Sequence, residues 1–141
     1  MSSGPKILIV DNEERFRKTM RKLLSVRGLE AATAGGGREA LEELRRRDYD
    51  VVILDVHMPD MGGVEVLSEI KKIDASTEVI ILTGYASTDT AVRIIKLGGY
   101  DFLLKPYDLD DLIEKIEAAY DRKTARRKLM GNAPKDVPRE P

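Results

Sequence analysis

Residues 51–59 read VVILDVHMP, and this stretch decides the fold class. Its four branched apolar residues show no polar alternation, which is typical of a parallel strand buried on both faces. Asp55 follows at the end of that strand, where an unpaired charge is costly. The segment from Val56 to Asp60 separates Asp55 from the next helical pattern, so a role as helix N-cap explains it poorly. The stretch therefore predicts a central strand that ends in a functional carboxylate.

Similar apolar runs alternate with helical patterns on both sides of this strand. The predicted strands are residues 6–10, 29–33, 51–54, 79–82 and 100–104. A helical pattern of apolar residues follows each strand; the first of these helices ends at Gly28, and the last begins after Asp108 as its N-cap. This order predicts an α/β fold: a three-layer, doubly wound, five-stranded parallel sheet with five helices.

The composition excludes several kinds of site. The 141 residues contain no Cys and a single His, His57, which excludes thiol catalysis, disulfide scaffolds and multi-histidine metal centres. The net charge of -1 creates no overall field that would attract nucleic acid or an anionic membrane. Because no run approaches the roughly 18 to 20 apolar residues of a membrane span, we expect a cytoplasmic protein with no membrane partner.

The chain length suits one domain, which we expect over residues 5–121. Residues 122–141 are predicted to form a basic helix extension and a disordered tail. The basic run within residues 121–129 has two readings, a binding arm or, more commonly, a solvated helix end. Direct nucleic-acid binding is not expected, because so short an arm without an aromatic residue would bind weakly.

Polar residues follow the central strands of the predicted sheet. They are Asp11 and Asn12 after the first strand, Asp55 after the third, Thr83 after the fourth and Lys105 after the fifth. Ligands of open parallel sheets bind beyond the carboxyl ends of the strands, so these residues are expected to meet at one edge. Alternatives exist for single residues, since Asp11 or Asn12 could cap a helix and Lys105 could be a solvated surface residue.

These residue types together suit phosphoryl transfer to an aspartate. Acidic oxygens that lie close together repel each other unless a cation joins them, and hard oxygen ligands suit Mg²⁺. Lys105 supplies a point charge for an incoming phosphate. An Asp55 carboxylate oxygen could then attack a phosphoryl group in line, while the Thr83 hydroxyl donates to a phosphoryl oxygen.

Four ordered motifs over about residues 5 to 120 resemble the receiver domain of two-component response regulators. They are VDNE at 10–13, LDVHMP at 54–59 with glycines at 62 and 63, LTGY at 82–85, and DFLLKP at 101–106. The resemblance implies the flavodoxin-like strand order 2-1-3-4-5. It also implies a phosphoacceptor signalling domain and not an enzyme, since such a domain assists only its own phosphorylation and dephosphorylation.

The resemblance assigns roles to individual residues. Asp55 would accept a phosphoryl group from a sensor histidine kinase or a phosphotransfer protein. Mg²⁺ would be held by Asp11, Asp55 and the main-chain carbonyl of His57. Thr83 and Lys105 would contact the phosphoryl group.

A switch is implied as well. Phe102 lies where the family has an aromatic residue that turns inward when Thr83 moves toward the phosphate, although an ordinary core position sharing a face with Tyr100 and Leu104 is an alternative. The fourth helix, fifth strand and last helix would repack and bind an output domain, a downstream protein or a second copy in a homodimer. The peptide bond before Pro106 is expected to be cis.

Asn12 departs from the family pattern, which usually has a second acid at this position. A neutral carbonyl oxygen replaces a carboxylate that would touch the metal, so we expect weaker Mg²⁺ binding, for which Glu13 could compensate in part. His57 and Tyr85 occupy positions that flank the path of the hydrolytic water in the family. Tyr85 is expected to slow water access and so prolong the life of the phosphoryl group, whereas the His57 imidazole is given no ligand role.

Three other functions compete with this one. An FMN binder would need a hydroxyl- and glycine-rich phosphate loop after the first strand, where Asp11, Glu13 and Glu14 would instead repel a bound phosphate. The Gly35-Gly36-Gly37 run lacks the Lys-Ser/Thr of a phosphate loop and is interpreted as a flexible turn between a strand and a helix. A phosphohydrolase with an aspartate nucleophile would want an acid where His57 stands. A receiver-like scaffold that binds proteins without phosphorylation stays open because of Asn12.

Overall fold

The computed structural model describes residues 4–56, 58–84 and 88–129, in which strands and helices alternate. The strands are β1 (Ile7–Val10), β2 (Ala31–Ala34), β3 (Val51–Asp55), β4 (Glu78–Thr83) and β5 (Asp101–Leu104). The helices are α1 (Glu14–Val26), α2 (Gly37–Arg46), α3 (Gly63–Ile73), α4 (Thr88–Lys96) and α5 (Leu109–Leu129).

The strands form one parallel sheet in the order β2-β1-β3-β4-β5, which confirms the predicted fold class and strand order. Val10 at the end of β1 pairs with Ala34 of β2 and Leu54 of β3, so the carboxyl ends of the strands reach the same edge. The chain reverses its winding direction between β1 and β3. A crevice for ligands is expected beyond the ends of these two strands.

Two apolar cores cover the two faces of the sheet. Leu8 and Val10 of β1 pack with α2, α3 and α4, whereas Ile7 and Ile9 pack with α1 and α5. Successive side chains of a strand point to opposite faces, so both sets are buried and the strand needs no polar alternation. Each fully buried side chain of this size contributes about 1.5–3 kcal/mol to stability. The three predicted layers are confirmed.

Gly28 ends α1, as predicted, in a turn that favours glycine. Its φ is +84°, its N–H donates to the Ser25 carbonyl, and the N–H of Leu29 donates to the Leu24 carbonyl. These two bonds around a left-handed residue form a Schellman C-cap, in which a side chain would be strained. The cap uses Leu29, and β2 therefore begins two residues later than the predicted strand at 29–33.

α5 continues past the predicted domain boundary because charged side chains bond it to the amino ends of the strands. Arg122 Nε donates to Glu78 Oε2 at 2.6 Å, and Lys123 Nζ donates to Asp50 Oδ1 at 2.8 Å and to the Tyr49 carbonyl at 3.1 Å. Glu78 is 0% exposed and Lys123 2%, so Lys123 is not solvated, whereas the later basic residues Arg126, Arg127 and Lys128 are exposed. The predicted disordered tail from residue 130 onward lies outside the described residues. None of the described helices is long and apolar enough to cross a membrane.

Tyr100 and Phe102 pack on different faces of the sheet, so the prediction that they share a face was wrong. Tyr100 packs against the core of α1 and α5, with the Arg122 guanidinium 4.6 Å from its ring centroid. Phe102 packs against the core of α2, α3 and α4. β5 begins at Asp101, so Tyr100 precedes the pleated part of the strand and the alternation of a strand does not apply to it.

Candidate functional site

Four of the predicted site residues lie at the carboxyl ends of their strands. Asp55 and Thr83 are the last residues of β3 and β4, while Asp11 and Lys105 directly follow β1 and β5. Asp11 is 1% exposed, Asp55 7% and Thr83 0%. Buried polar groups of this kind require bonding partners, so the edge forms a polar site and not a set of solvated chain ends.

Lys105 connects the two carboxylates of this site. Its Nζ lies 3.4 Å from Asp11 Oδ2 and 3.8 Å from Asp55 Oδ1. Its main-chain N–H donates to the Thr83 carbonyl at 2.8 Å and so continues the ladder between β4 and β5. The Lys105 side chain is 24% exposed, which argues against the alternative of a solvated surface residue. The peptide bond between Lys105 and Pro106 is cis, as predicted.

Asp11 is held by its neighbours and does not cap α1. Its Oδ1 accepts a hydrogen bond from the Glu13 N–H at 2.8 Å, and its main-chain oxygen accepts one from Arg17 Nη1 at 2.7 Å. Glu13 occupies the N-cap position of α1, which removes the capping alternative for Asp11 and Asn12. Asn12 is exposed beside the buried Asp11, where its amide can meet an ion from solvent.

Phe16 and Tyr107 form an aromatic wall beside Lys105. Lys105 Nζ lies 4.4 Å from the Phe16 ring centroid, within the range of cation–π attraction. The two rings meet edge to face at 78° with their centroids 6.1 Å apart, and burial raises the pKa of Tyr107. Sequence reasoning missed this contact, because a helical period shows which residues share a face of α1 but not which residue of a distant loop lies over the Phe16 ring.

Asp60 fixes the loop that follows Asp55. Its Oδ2 accepts a hydrogen bond from the Arg38 N–H at 3.1 Å, and its Oδ1 accepts one from the Gly37 N–H at 3.2 Å. The N-cap residue of α2 is Gly36, which has no side chain, so Asp60 satisfies helix donors that the cap cannot. The backbone hydrogen bonds, that from Arg38 foremost, lower the pKa of Asp60 from its ordinary value. The glycine-rich turn before α2 is therefore tied to the loop after β3.

Gly63 lets the same loop close against α3. A Cβ at this position would lie 2.6 Å from the Val56 Cα and 3.2 Å from the Asp55 carbonyl oxygen. The Gly63 N–H also donates to the Val56 carbonyl at 3.0 Å. Because those neighbours are backbone atoms, a side chain here would displace the loop next to Asp55.

Phe102 lies half-buried on β5, next to the strand that ends in Thr83. In the ladder, Ile81 pairs with Phe102 and Thr83 with Leu104. Its packing against the core is compatible with the ordinary-core alternative as well as with a switch. The predicted roles of the His57 carbonyl and of Tyr85 lie outside the described residues and stay predictions.

The oxygen donors of the site fit a small hard cation. The carboxylates of Asp11 and Asp55 lie within 3.8 Å of one ammonium, so a second cation would find two charged oxygen ligands near each other. The described residues contain no cluster of three or more Asp, Glu, His or Cys side chains around a point. A site with two carboxylates suits Mg²⁺ that keeps several water ligands.

Known proteins are similar to this chain over most of its length. Residues 7–117 match the family described as response regulator receiver domain. The transcriptional regulatory protein ZraR of Escherichia coli O157:H7 is 41% identical over 113 residues, which are 80% of this chain and 26% of that protein. The chain spans about a quarter of the length of the curated relatives it matches.

Solved structures extend the similarity to the whole fold. The CheY-like response regulator receiver domain protein from Methanospirillum hungatei JF-1 aligns with a TM-score of 0.83 at 29% identity, covering 88% of this chain and 99% of that one. The solution structure of the beryllofluoride-activated NtrC4 receiver domain dimer aligns with a TM-score of 0.79 at 36% identity, covering 84% of this chain and 98% of that one.

Proposed function

The chain belongs to the response regulator receiver domain family, and on this basis we propose that it accepts a phosphoryl group on Asp55. The donor would be a sensor histidine kinase or a phosphotransfer protein, and the chain would act as a signalling domain without a separate substrate to turn over. The observation that carries the proposal is the approach of Asp55 and Asp11 to the Lys105 ammonium, at 3.8 and 3.4 Å, where the carboxyl ends of the strands meet.

Asp55 would supply the attacking atom. One of its carboxylate oxygens forms the new bond to phosphorus while the bond from phosphorus to the donor's imidazole nitrogen breaks, and that nitrogen keeps the electron pair. Lys105 Nζ is near enough to Asp55 to pair with a negatively charged phosphoryl oxygen as the phosphoryl group moves onto the carboxylate. The Thr83 hydroxyl, at the end of the adjacent strand, would donate to another phosphoryl oxygen.

Asp11 and Asp55 would hold Mg²⁺ together with the amide oxygen of Asn12 and the main-chain carbonyl of His57. Bound Mg²⁺ supplies positive charge that offsets the negative charge of the carboxylates and phosphoryl oxygens. The Glu13 N–H orients the Asp11 carboxylate in advance. Because Asn12 contributes a neutral oxygen, the affinity for Mg²⁺ would be lower than with a third carboxylate.

Phosphorylation would alter the surface formed by α4, β5 and α5. As Thr83 moves toward the phosphoryl group, Phe102 would turn inward and the neighbouring elements would repack. Val92, Ile95 and Leu104 already expose apolar side chains on α4 and β5. An output domain, a downstream protein or a second copy would bind there; the receiver dimer of NtrC4 supports the second copy.

The cytoplasmic location that the sequence predicts is also part of this proposal.

Asn12 favours one competing function, a receiver-like scaffold whose protein binding does not depend on phosphorylation. Loss of a carboxylate at the metal position is the kind of change expected in a receiver that has stopped using Mg²⁺. In a scaffold, partner binding would be the same with and without a phosphodonor.

Incubation with a small acyl phosphate donor and Mg²⁺, followed by intact-mass measurement, distinguishes the two functions. The wild-type chain is expected to gain the mass of one phosphoryl group, and Asp55→Asn is expected to gain none. Asp111→Asn, which removes an exposed acid from α5, is the matched control and should be phosphorylated normally. Absence of a mass gain in the wild-type chain at saturating Mg²⁺ would favour the scaffold.

A further inference from the structure

We infer that Phe16 is a positioning residue for Lys105, the cation expected to meet the phosphoryl group. The inference rests on the proposed phosphoryl transfer to Asp55 and adds a residue that acts through Lys105. The observation behind it is the 4.4 Å distance from Lys105 Nζ to the centroid of the Phe16 ring.

The ring differs in kind from the other neighbours of the ammonium. Asp11 and Asp55 attract Lys105 as charged hydrogen-bond acceptors at 3.4 and 3.8 Å, and each would neutralise part of its charge. The Phe16 ring carries no net charge and attracts the ammonium through its quadrupole. It therefore holds the cation near Asp55 while leaving its charge and its N–H donors for an incoming phosphoryl group.

Position matters for Lys105 because its charge sits at the end of a flexible four-carbon stem. Ordering such a side chain costs about 1.5–2 kcal/mol of rotamer entropy. Charges that are fixed before the reaction stabilise a transition state more than charges that must first be ordered. The ring restricts the ammonium before phosphorylation begins, so less ordering remains for the reaction step.

The Phe16 ring packs edge to face with the Tyr107 ring. The next residue of α1, Arg17, ties the start of this helix to the site by donating to the Asp11 carbonyl at 2.7 Å. A surface cavity of about 400 Å³, lined by Phe16, Lys105, Pro106 and Tyr107, opens beside the contact. Removal of the ring would widen this cavity and expose more of the Lys105 side chain to water.

Substitutions at Phe16 test the inference in the full chain. Phe16→Leu and Phe16→Met remove the ring and keep apolar volume, whereas Phe16→Tyr keeps the ring. Leu23→Ala, which trims an exposed apolar side chain of the same helix, is the control. Phosphorylation by a small acyl phosphate donor at saturating Mg²⁺ should slow about fivefold in the Leu and Met variants and stay within about twofold in the Tyr and control variants.

A spectroscopic readout separates positioning from folding. In the wild-type chain the ring current of Phe16 should shift the NMR signals of the Lys105 Cε protons upfield, and this shift should vanish in Phe16→Leu and Phe16→Met and persist in Phe16→Tyr. Phosphorylation at the wild-type rate in the folded Leu and Met variants would overturn the inference, and so would an unchanged Lys105 signal. If the wild-type chain takes up no phosphoryl group, the proposed function fails, while the Lys105 signal still decides whether the ring holds the ammonium.

Discussion

Replacing Arg122 by leucine tests how α5 is attached to the sheet. In the native chain both nitrogens of the Arg122 fork pair with the Glu78 carboxylate, and the guanidinium stacks on Tyr100 with 4.6 Å to the ring centroid. The hydrogen bond to Glu78 raises the pKa of Arg122. Glu78 is completely buried at the first position of β4. Arg122→Leu would leave this carboxylate buried without its guanidinium.

The expected loss of stability follows from how deeply Arg122 and Glu78 are buried. Removing one partner of a buried ion pair costs about 3–5 kcal/mol, because the remaining charge stays desolvated. The Arg122 side chain is 40% exposed, so water can partly replace the guanidinium, and the lower end, about 3 kcal/mol, applies. For a domain of this size that corresponds to a fall in Tm of about 10 °C.

Urea unfolding followed by circular dichroism measures the change in the free energy of unfolding directly. The double variant Glu78→Leu with Arg122→Leu should recover most of the loss, since it removes the buried charge as well as its partner. Arg126→Leu, an exposed basic residue one turn further along α5, should change stability by less than about 0.5 kcal/mol. A loss in Arg122→Leu no larger than in Arg126→Leu would refute the view that the Glu78 pair holds α5.

Three further predictions concern the site and the loops around it. Asn12→Asp should lower the Mg²⁺ concentration that gives half-maximal phosphorylation several-fold, and equal concentrations in Mg²⁺ titrations of the two forms would contradict the assigned role of Asn12. Asp60→Asn should lower the free energy of unfolding slightly at neutral pH in urea, because the amide keeps an acceptor oxygen but loses the negative charge that accepts from the Gly37 and Arg38 N–H groups. Folding lowers the pKa of Asp60, so its contribution to stability is fully present above the unfolded-state pKa and is lost as the pH falls through the folded-state pKa. The free energies of unfolding of the wild type and the variant should therefore become equal in acid. Tyr85→Ala should speed loss of the phosphoryl group, measured by mass over time, if Tyr85 slows water access.

Local sequence patterns predicted the sheet because a strand that is buried on both faces has a continuous run of apolar residues. The four adjacent branched residues at 51–54 alternate between the two faces of a strand, so both faces must be buried. This pattern is typical of a central strand in a parallel sheet. The ends of the strands were less predictable. β4 begins at Glu78, one residue before the apolar run, because Arg122 from a distant helix makes burial of that acid tolerable. Nothing near Glu78 in the sequence signals this partner.

The predicted residues of the site lie at strand ends, whereas the missed contact joins a helix to a loop. The proximity of Asp11, Asp55 and Lys105 was predictable because parallel strands bring their carboxyl ends to one edge, so chain order alone places these residues together. Contacts between side chains of separate helices and loops have no such rule. The helical period places Phe16 on an inner face but does not say that Lys105 will lie over its ring.

Both edges of the sheet carry acids beside basic side chains, but the pairing differs between them. At the amino edge each acid has its own close partner: Glu78 bonds to Arg122 at 2.6 Å, and Asp50 bonds to Lys123 at 2.8 Å. At the carboxyl edge Asp11 and Asp55 share the Lys105 ammonium at 3.4 and 3.8 Å. Short, matched pairs stabilise a fixed arrangement, whereas carboxylates that share a cation at longer distances leave room for a further positive charge. The amino edge is therefore suited to anchoring α5, and the carboxyl edge to the ionic change that phosphoryl transfer requires.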